Sequence, residues 1–214
     1  MKTFKLSPKI QFISLLALLG QALLMLPGCV STPENLQQSN GLQEQLSEVP
    51  VSENAYLKLD STWLLPDHGT YLQQVKATIQ GQDYKFSVHV SFENKRLSLV
   101  AFNDLYGRLY QLTWEPGSLN WTTSDKIPPA LKPENIIADF LLVHSALAQL
   151  NSHLIGATTE EDKSSQSLMR TVKSQAILLR KIEGTQPVGA LWQMIVINNP
   201  QAGYKLEIQT VPLS

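Results

Sequence analysis

The sequence predicts a mainly β domain of the α+β class. Its expected core is one curved antiparallel sheet of about nine to eleven strands with helix on the concave face. Three observations predict it. Apolar and polar residues alternate with period two in segment after segment between residues 74 and 211. Turn residues part these segments at hairpin spacing, as in Glu93-Asn94-Lys95, Pro116-Gly117 and NNPQAG. One stretch midway, PENIIADFLLVHSALAQL, changes to a helical period.

The chain opens with MKTFKLSPK, which carries Lys2, Lys5 and Lys9 and no acid. A Leu-rich run follows, IQFISLLALLGQALLML. A basic start, an apolar stretch and then a small residue make the order of a secretory signal. The run is shorter than the ~20 residues of a membrane span. Gln11 and Gln21 interrupt it, and Pro27-Gly28 break a helix. Next stands Cys29, the only cysteine in 214 residues. A lone thiol closes no internal disulfide and builds no metal cage by itself. Either Cys29 is incidental, behind an ordinary signal or an uncleaved anchor, or it serves outside the fold.

Residues 29–54 are rich in Gln, Ser, Asn and Glu and contain no aromatic. They read as a flexible tether, with the folded domain at 55–214. Gln74–Gln80 is a first weak strand. YKFSVHVSFE sets Tyr84, Phe86, Val88, Val90 and Phe92 on one face and Lys85, Ser87, His89, Ser91 and Glu93 on the other. Arg96–Phe102 returns, with Leu97, Leu99 and Ala101 alternating against Ser98 and Val100. Arg108–Trp114 and Leu119–Thr122 continue the meander. The helix starts at Pro133, a residue suited to the first helical position, with Glu134 beside the positive end. Ile136, Ile137, Phe140, Leu141, His144, Leu147 and Ala148 form its wide apolar face, and Leu142 and Val143 lie off it. Gly156–Gln166 reads as a polar loop. Strands resume at Ser167–Ser174, Gln175–Glu183, Ala190–Asn198 and Tyr204–Val211, with GTQPVG and NNPQAG as connections.

Residues 29–214 hold 14 basic and 18 acidic residues, a net charge of −4. No basic surface remains to grip nucleic acid. His68, His89, His144 and His153 show no metal-ligand spacing, and no cofactor motif is present. Nor is there a nucleophile elbow, a zinc-protease motif or a phosphate loop. Asp139 and His144 stand five apart, off the helical i, i+4 alignment. His144 reads as a core histidine or as the polar handle of a pocket. A non-enzymatic protein is the expectation.

Two resemblances extend this reading. Leu26-Pro27-Gly28-Cys29 resembles a bacterial lipobox, which implies a signal peptide over 1–28 and a lipid, palmitate included, on Cys29. Val30, where retained inner-membrane lipoproteins carry Asp, implies an outer-membrane lipoprotein facing the periplasm of a Gram-negative cell. The stretches RLSLVAFNDLYGRLYQLTWEP, PENIIADFLLVHSALAQL and GYKLEIQTV resemble a family of uncharacterised outer-membrane lipoproteins, domain of unknown function 3261, of the LolA/LolB-like lipoprotein-carrier superfamily. That resemblance implies an unclosed half-barrel lidded by helices, with a hydrophobic acyl or lipid-like ligand linked to aryl-polyene-type lipid biosynthesis or export. Phe86, Val88, Val90, Phe92, Leu97, Leu99 and Val196 would line it, with Ile136, Ile137, Phe140 and Leu147 in the lid. Period-two faces are equally the ordinary signature of core. In the FNDLYGR turn Leu105 resembles by position the exposed leucine of a LolB-type membrane-transfer loop, although the proline before that loop is absent and Tyr106 is added; the other reading is that Leu105 tucks back onto the sheet. The alternative function is an accessory or scaffold subunit of an envelope assembly with a filled cavity.

Overall fold

The computed structural model describes residues 47–213. The expected signal peptide, Cys29 and most of the expected tether lie outside the described residues. The elements run β1 (Glu48–Ser52), β2 (Ala55–Lys58), β3 (His68–Ile79), β4 (Gln82–Glu93), β5 (Arg96–Asn103), β6 (Gly107–Glu115) and β7 (Ser118–Thr123). A 3₁₀ turn at Pro129–Leu131 leads into α1 (Pro133–His144) and α2 (Leu147–His153). Then come β8 (Leu154–Ile155), β9 (Thr158–Lys163), β10 (Ser167–Ser174), β11 (Ile177–Val188), β12 (Leu191–Asn199) and β13 (Tyr204–Leu213).

Ten strands form one open, curved antiparallel sheet in the order β7-β6-β5-β4-β3-β13-β12-β11-β10-β9. Two meanders meet where β3 pairs with β13, from Tyr204↔Ile79 to Leu213↔Thr70. The helices carry the chain from one sheet edge to the other. Alternation within β4 and β5 holds as the sequence predicts: Phe86, Val88, Val90, Phe92, Leu97, Leu99 and Ala101 are all buried. Trp114, Leu112 and Leu119 extend the same inner face.

Four expectations change. The tether ends sooner: Glu48–Ser52 pairs with β2, and Val49 and Val51 are buried, in contact with the helical side of the domain. Two alternating valines are too short a pattern to outweigh the polar residues around them. The loop 156–166 contains β9, an edge strand paired with β10 from Lys163↔Leu168 to Thr158↔Lys173. Its TTEEDK sequence lacks apolar alternation, and charge on an edge strand discourages pairing with other chains. GTQPV belongs to β11, leaving Gly189-Ala190 as the turn. Gly184 makes this extension feasible, because a Cβ there would stand 3.1 Å from the Trp192 ring. Finally, the predicted helix breaks at Ser145-Ala146, both in extended backbone, so that α1 and α2 are separate.

Arg170 supplies the reason for the break. Its side chain, 1% exposed, donates to the carbonyl oxygens of Leu142, Val143 and Ser145 and pairs with Glu161. A helix end leaves its last carbonyls without partners. A buried guanidinium with five donors satisfies them there.

Because Glu48–Ser52 is part of the fold and Val49 is fully buried, Val49→Asp buries a carboxylate without a partner and costs at least about 2 kcal/mol. At ~2–4 °C per kcal/mol for this size, the melting temperature of the full-length chain drops by about 4–8 °C.

Candidate functional site

Helix α1 lies against the inner face of the sheet and leaves an apolar cavity of about 60 Å³. Phe86 and Val88 of β4, Leu99 of β5, Ile195 and Ile197 of β12, and Ile136, Phe140 and His144 of α1 are among its walls. Of the predicted ligand-binding residues, five are here: Phe86, Val88, Leu99, Ile136 and Phe140. Val90, Phe92 and Leu97 are buried beyond the cavity wall and act as core. Phe92 packs its ring against Phe140 at 6.0 Å and Tyr71 at 6.3 Å. Ile137 is fully buried and also outside the lining. Leu147 sits half-buried on α2, away from the cavity, because the break at Ser145 takes it off the α1 face.

Val196 is a correction of parity. It lies half-buried while Ile195 and Ile197 point inward. The run Met194-Ile195-Val196-Ile197 is apolar throughout, so alternation could not say which residues face in. A shift of one residue flips the face.

The cavity has polar groups that period analysis does not reveal. Asp139 accepts from Arg180 Nε at 2.7 Å and from the Tyr204 hydroxyl. Arg180 also donates to the carbonyls of Val51 and Leu179. Burial pushes the Tyr204 phenol well above its usual range, and the neighbouring Asp139 charge adds to this. Gln73 donates to Thr210 at 3.3 Å, and Asn135 to the Ala130 carbonyl at 3.0 Å. His144 stacks near Phe140 at 4.6 Å, and its Nδ1 is buried without a hydrogen-bond partner. Burial, and then the Arg170 charge, lower the His144 pKa to about 3. The imidazole is therefore neutral at pH 7. Arg170 and Arg180 were visible in the sequence only as cations at alternate positions among apolar residues of β10 and β11.

A family model described as "Protein of unknown function (DUF3261)" matches residues 70–212. The chain belongs to that family. The match spans β3 to β13 and therefore the cavity, while β1 and β2 precede it. Among solved structures the chain is similar to the crystal structure of a LolA superfamily protein from Nitrosomonas europaea. The identity is 6%, the coverage 72% of this chain and 88% of that one, and the TM-score 0.38. No curated protein matches.

Leu105, the residue that matches the transfer loop by position, and Tyr106 beside it cap the β5–β6 turn at 84% and 59% exposure. Leu105 does not tuck back. Asn103 shapes the tip: its Oδ1 accepts from the amides of Leu105 and Tyr106, and its Nδ2 donates to the Lys85 carbonyl. A second polar cluster joins residues that are distant in sequence. His153 lies 2.8 Å from the Thr62 hydroxyl, 2.9 Å from the Ser152 hydroxyl and 3.2 Å from Asp60, with its ring on Trp63. The Ser152 hydroxyl also donates to the Gln149 carbonyl. His153 is buried, and this cluster does not line the cavity. It ties α2 to the segment after β2.

Arg180→Met leaves Asp139 buried without its cation, and removing one member of such a pair costs about 3–5 kcal/mol. Replacing the set together, Asp139→Leu with Arg180→Met and Tyr204→Phe, is expected to recover most of that loss in urea unfolding. His144 predicts a pH dependence. The unfolded chain binds this proton near pH 6.5 and the folded chain near pH 3, so stability falls as pH drops between those values. His144→Leu is expected to flatten that part of the urea-midpoint profile.

Proposed function

We propose that this chain is a non-enzymatic carrier of a hydrophobic, acyl-bearing ligand, anchored through a lipid on Cys29 at the periplasmic side of an outer membrane. The observation that carries the reading is the apolar cavity between α1 and the sheet, where the polar side chains Asp139, Tyr204, Gln73 and Asn135 are paired to protein. Such a lining favours hydrocarbon, at about 0.8 kcal/mol per buried CH₂. The exposed Leu105–Tyr106 tip supports a role in contacting membrane, because a rigid apolar protrusion gains by entering lipid. The reading requires no covalent step, cofactor or nucleic acid. The lipid anchor and its location rest on the sequence around Cys29.

A second reading has a specific observation in its favour. The cavity, at about 60 Å³, is smaller than the ~150 Å³ hollow that accepts benzene in an engineered core. An accessory or scaffold subunit with a filled interior would look the same. Under the carrier reading the space must enlarge when ligand enters.

Displacement of a hydrophobic dye from the full-length chain by palmitate separates the two. Saturable displacement is expected for a carrier, and none for a scaffold. Leu105→Glu is expected to cut ligand transfer to phospholipid liposomes at least about tenfold while dye displacement and the melting temperature stay as in the parent chain. Equal transfer by this variant would remove the tip from the mechanism.

A further inference from the structure

An outer cleft of about 540 Å³ adjoins the cavity. It runs beneath the β5–β6 turn, between the start of β4 and the segment that precedes α1. Tyr84, Leu109 and Ile127 give it apolar walls, and Asp83, Lys85 and Lys126 stand at its rim. Tyr106 of the exposed tip is part of its lining. Two residues, Phe86 and Leu131, line both the cleft and the inner cavity. The two spaces therefore meet at these side chains.

We propose that cleft and cavity are the two halves of one channel, gated by Leu131 against Phe86, whose occupant is a single unbranched hydrocarbon chain with a polar head left in the cleft. This rests on the carrier reading and names its route and its ligand class.

The rest of the cavity wall is less able to open. Val75 and Ile208 also border a surface depression, but they are a directly opposed pair in the β3–β13 ladder. Opening there would break the join of the two meanders. Asn135 borders another depression, beside Arg180. There α1 is held by the Asp139–Arg180 pair, and its C-terminal end is held by Arg170. The 3₁₀ turn is different. Among the described residues, 125–135 make hydrogen bonds only within the local chain: Leu131 N–H to Pro128, Asn135 Nδ2 to Ala130, Ile127 N–H and Lys126 N–H to Ser124. Only apolar contact seats Leu131 on the sheet.

The ligand class follows from the dimensions and the chemistry. A gate one side chain wide on each wall admits one chain, not two abreast. The joined spaces reach a volume within the ~300–1,000 Å³ of small-molecule sites. Inside, Asp139, Gln73 and Asn135 already have protein partners and the one orphaned ring nitrogen, His144 Nδ1, belongs to an uncharged imidazole in an otherwise apolar wall, so the hydrocarbon end belongs there. At the rim, cations and an anion stand together, which suits a head of mixed charge.

Two photoreactive probes test this on the full-length chain in dioleoylphosphatidylcholine nanodiscs. One is a lysophosphatidylcholine and the other a diacyl phosphatidylcholine, each with a diazirine at the end of an acyl chain. The lyso probe is expected to label peptides holding Phe140, Ile195 or Ile208, and the diacyl probe to label those peptides at least tenfold less. Leu131→Trp, and independently Phe86→Trp, are expected to lower the inner labelling at least tenfold and move it to Tyr84, Leu109 or Ile127. Circular dichroism identifies a variant that has not folded, and the other then decides. Unchanged inner labelling in folded gate variants overturns the gate and leaves the carrier reading standing. Equal inner labelling by the diacyl probe overturns the single-chain ligand. No labelling inside by either probe, together with no dye displacement by palmitate, overturns the carrier reading as well.

Discussion

Two buried guanidinium groups govern how this fold is assembled. Arg170 and Arg180 are each 1% exposed, on neighbouring strands that face the helices. An unpaired cation in that position costs several kcal/mol, so the chain must bring partners to it. Arg180 finds Asp139 in the middle of α1, with Tyr204 on the second carboxylate oxygen. Arg170 finds Glu161 and the free carbonyls at the end of α1. Apolar contact alone would let the helix slide or roll with little change in buried area. These directional bonds set its place along the sheet and its end.

The same anchors decide which motions are cheap. Lifting α1 as a whole would break the Asp139–Arg180 pair, at about 3–5 kcal/mol. That is as much as burying roughly four to six CH₂ groups of a guest returns. Exposing Leu131 alone costs about 1.5–3 kcal/mol. A hydrocarbon chain of ordinary length could offset the second cost within its first few carbons. An interior of this small volume and a carrier role are thus compatible, provided the space grows from the 3₁₀ turn rather than from the helix.

Much of the sheet was legible because period-two patterns report one property, the face that meets the core. In β4 and β5 the two sides differ sharply, so Phe86, Val88 and Leu99 could be placed inward from spacing alone. In β12 both sides are apolar, so Val196 and its neighbours could not be told apart. β9 has neither pattern, since it exists by pairing with β10 and through Glu161. β1 contributes two valines within a polar stretch. The helix break was hidden because Ser145-Ala146 carries no breaker residue, and the cause lies 25 residues along the chain, in Arg170.

By itself, then, the sequence determined the class of the domain, the order of its main strands, the presence of helix midway and the apolar character of the inner face. Those are local quantities, set by alternation, turn residues and helical period within a few residues. Only the tertiary structure decided which apolar residues border a cavity and which are merely core, where the helix ends, and that Asp139 and two distant arginines hold α1 against the sheet. Those depend on distances between segments far apart in sequence, and residue spacing does not encode them.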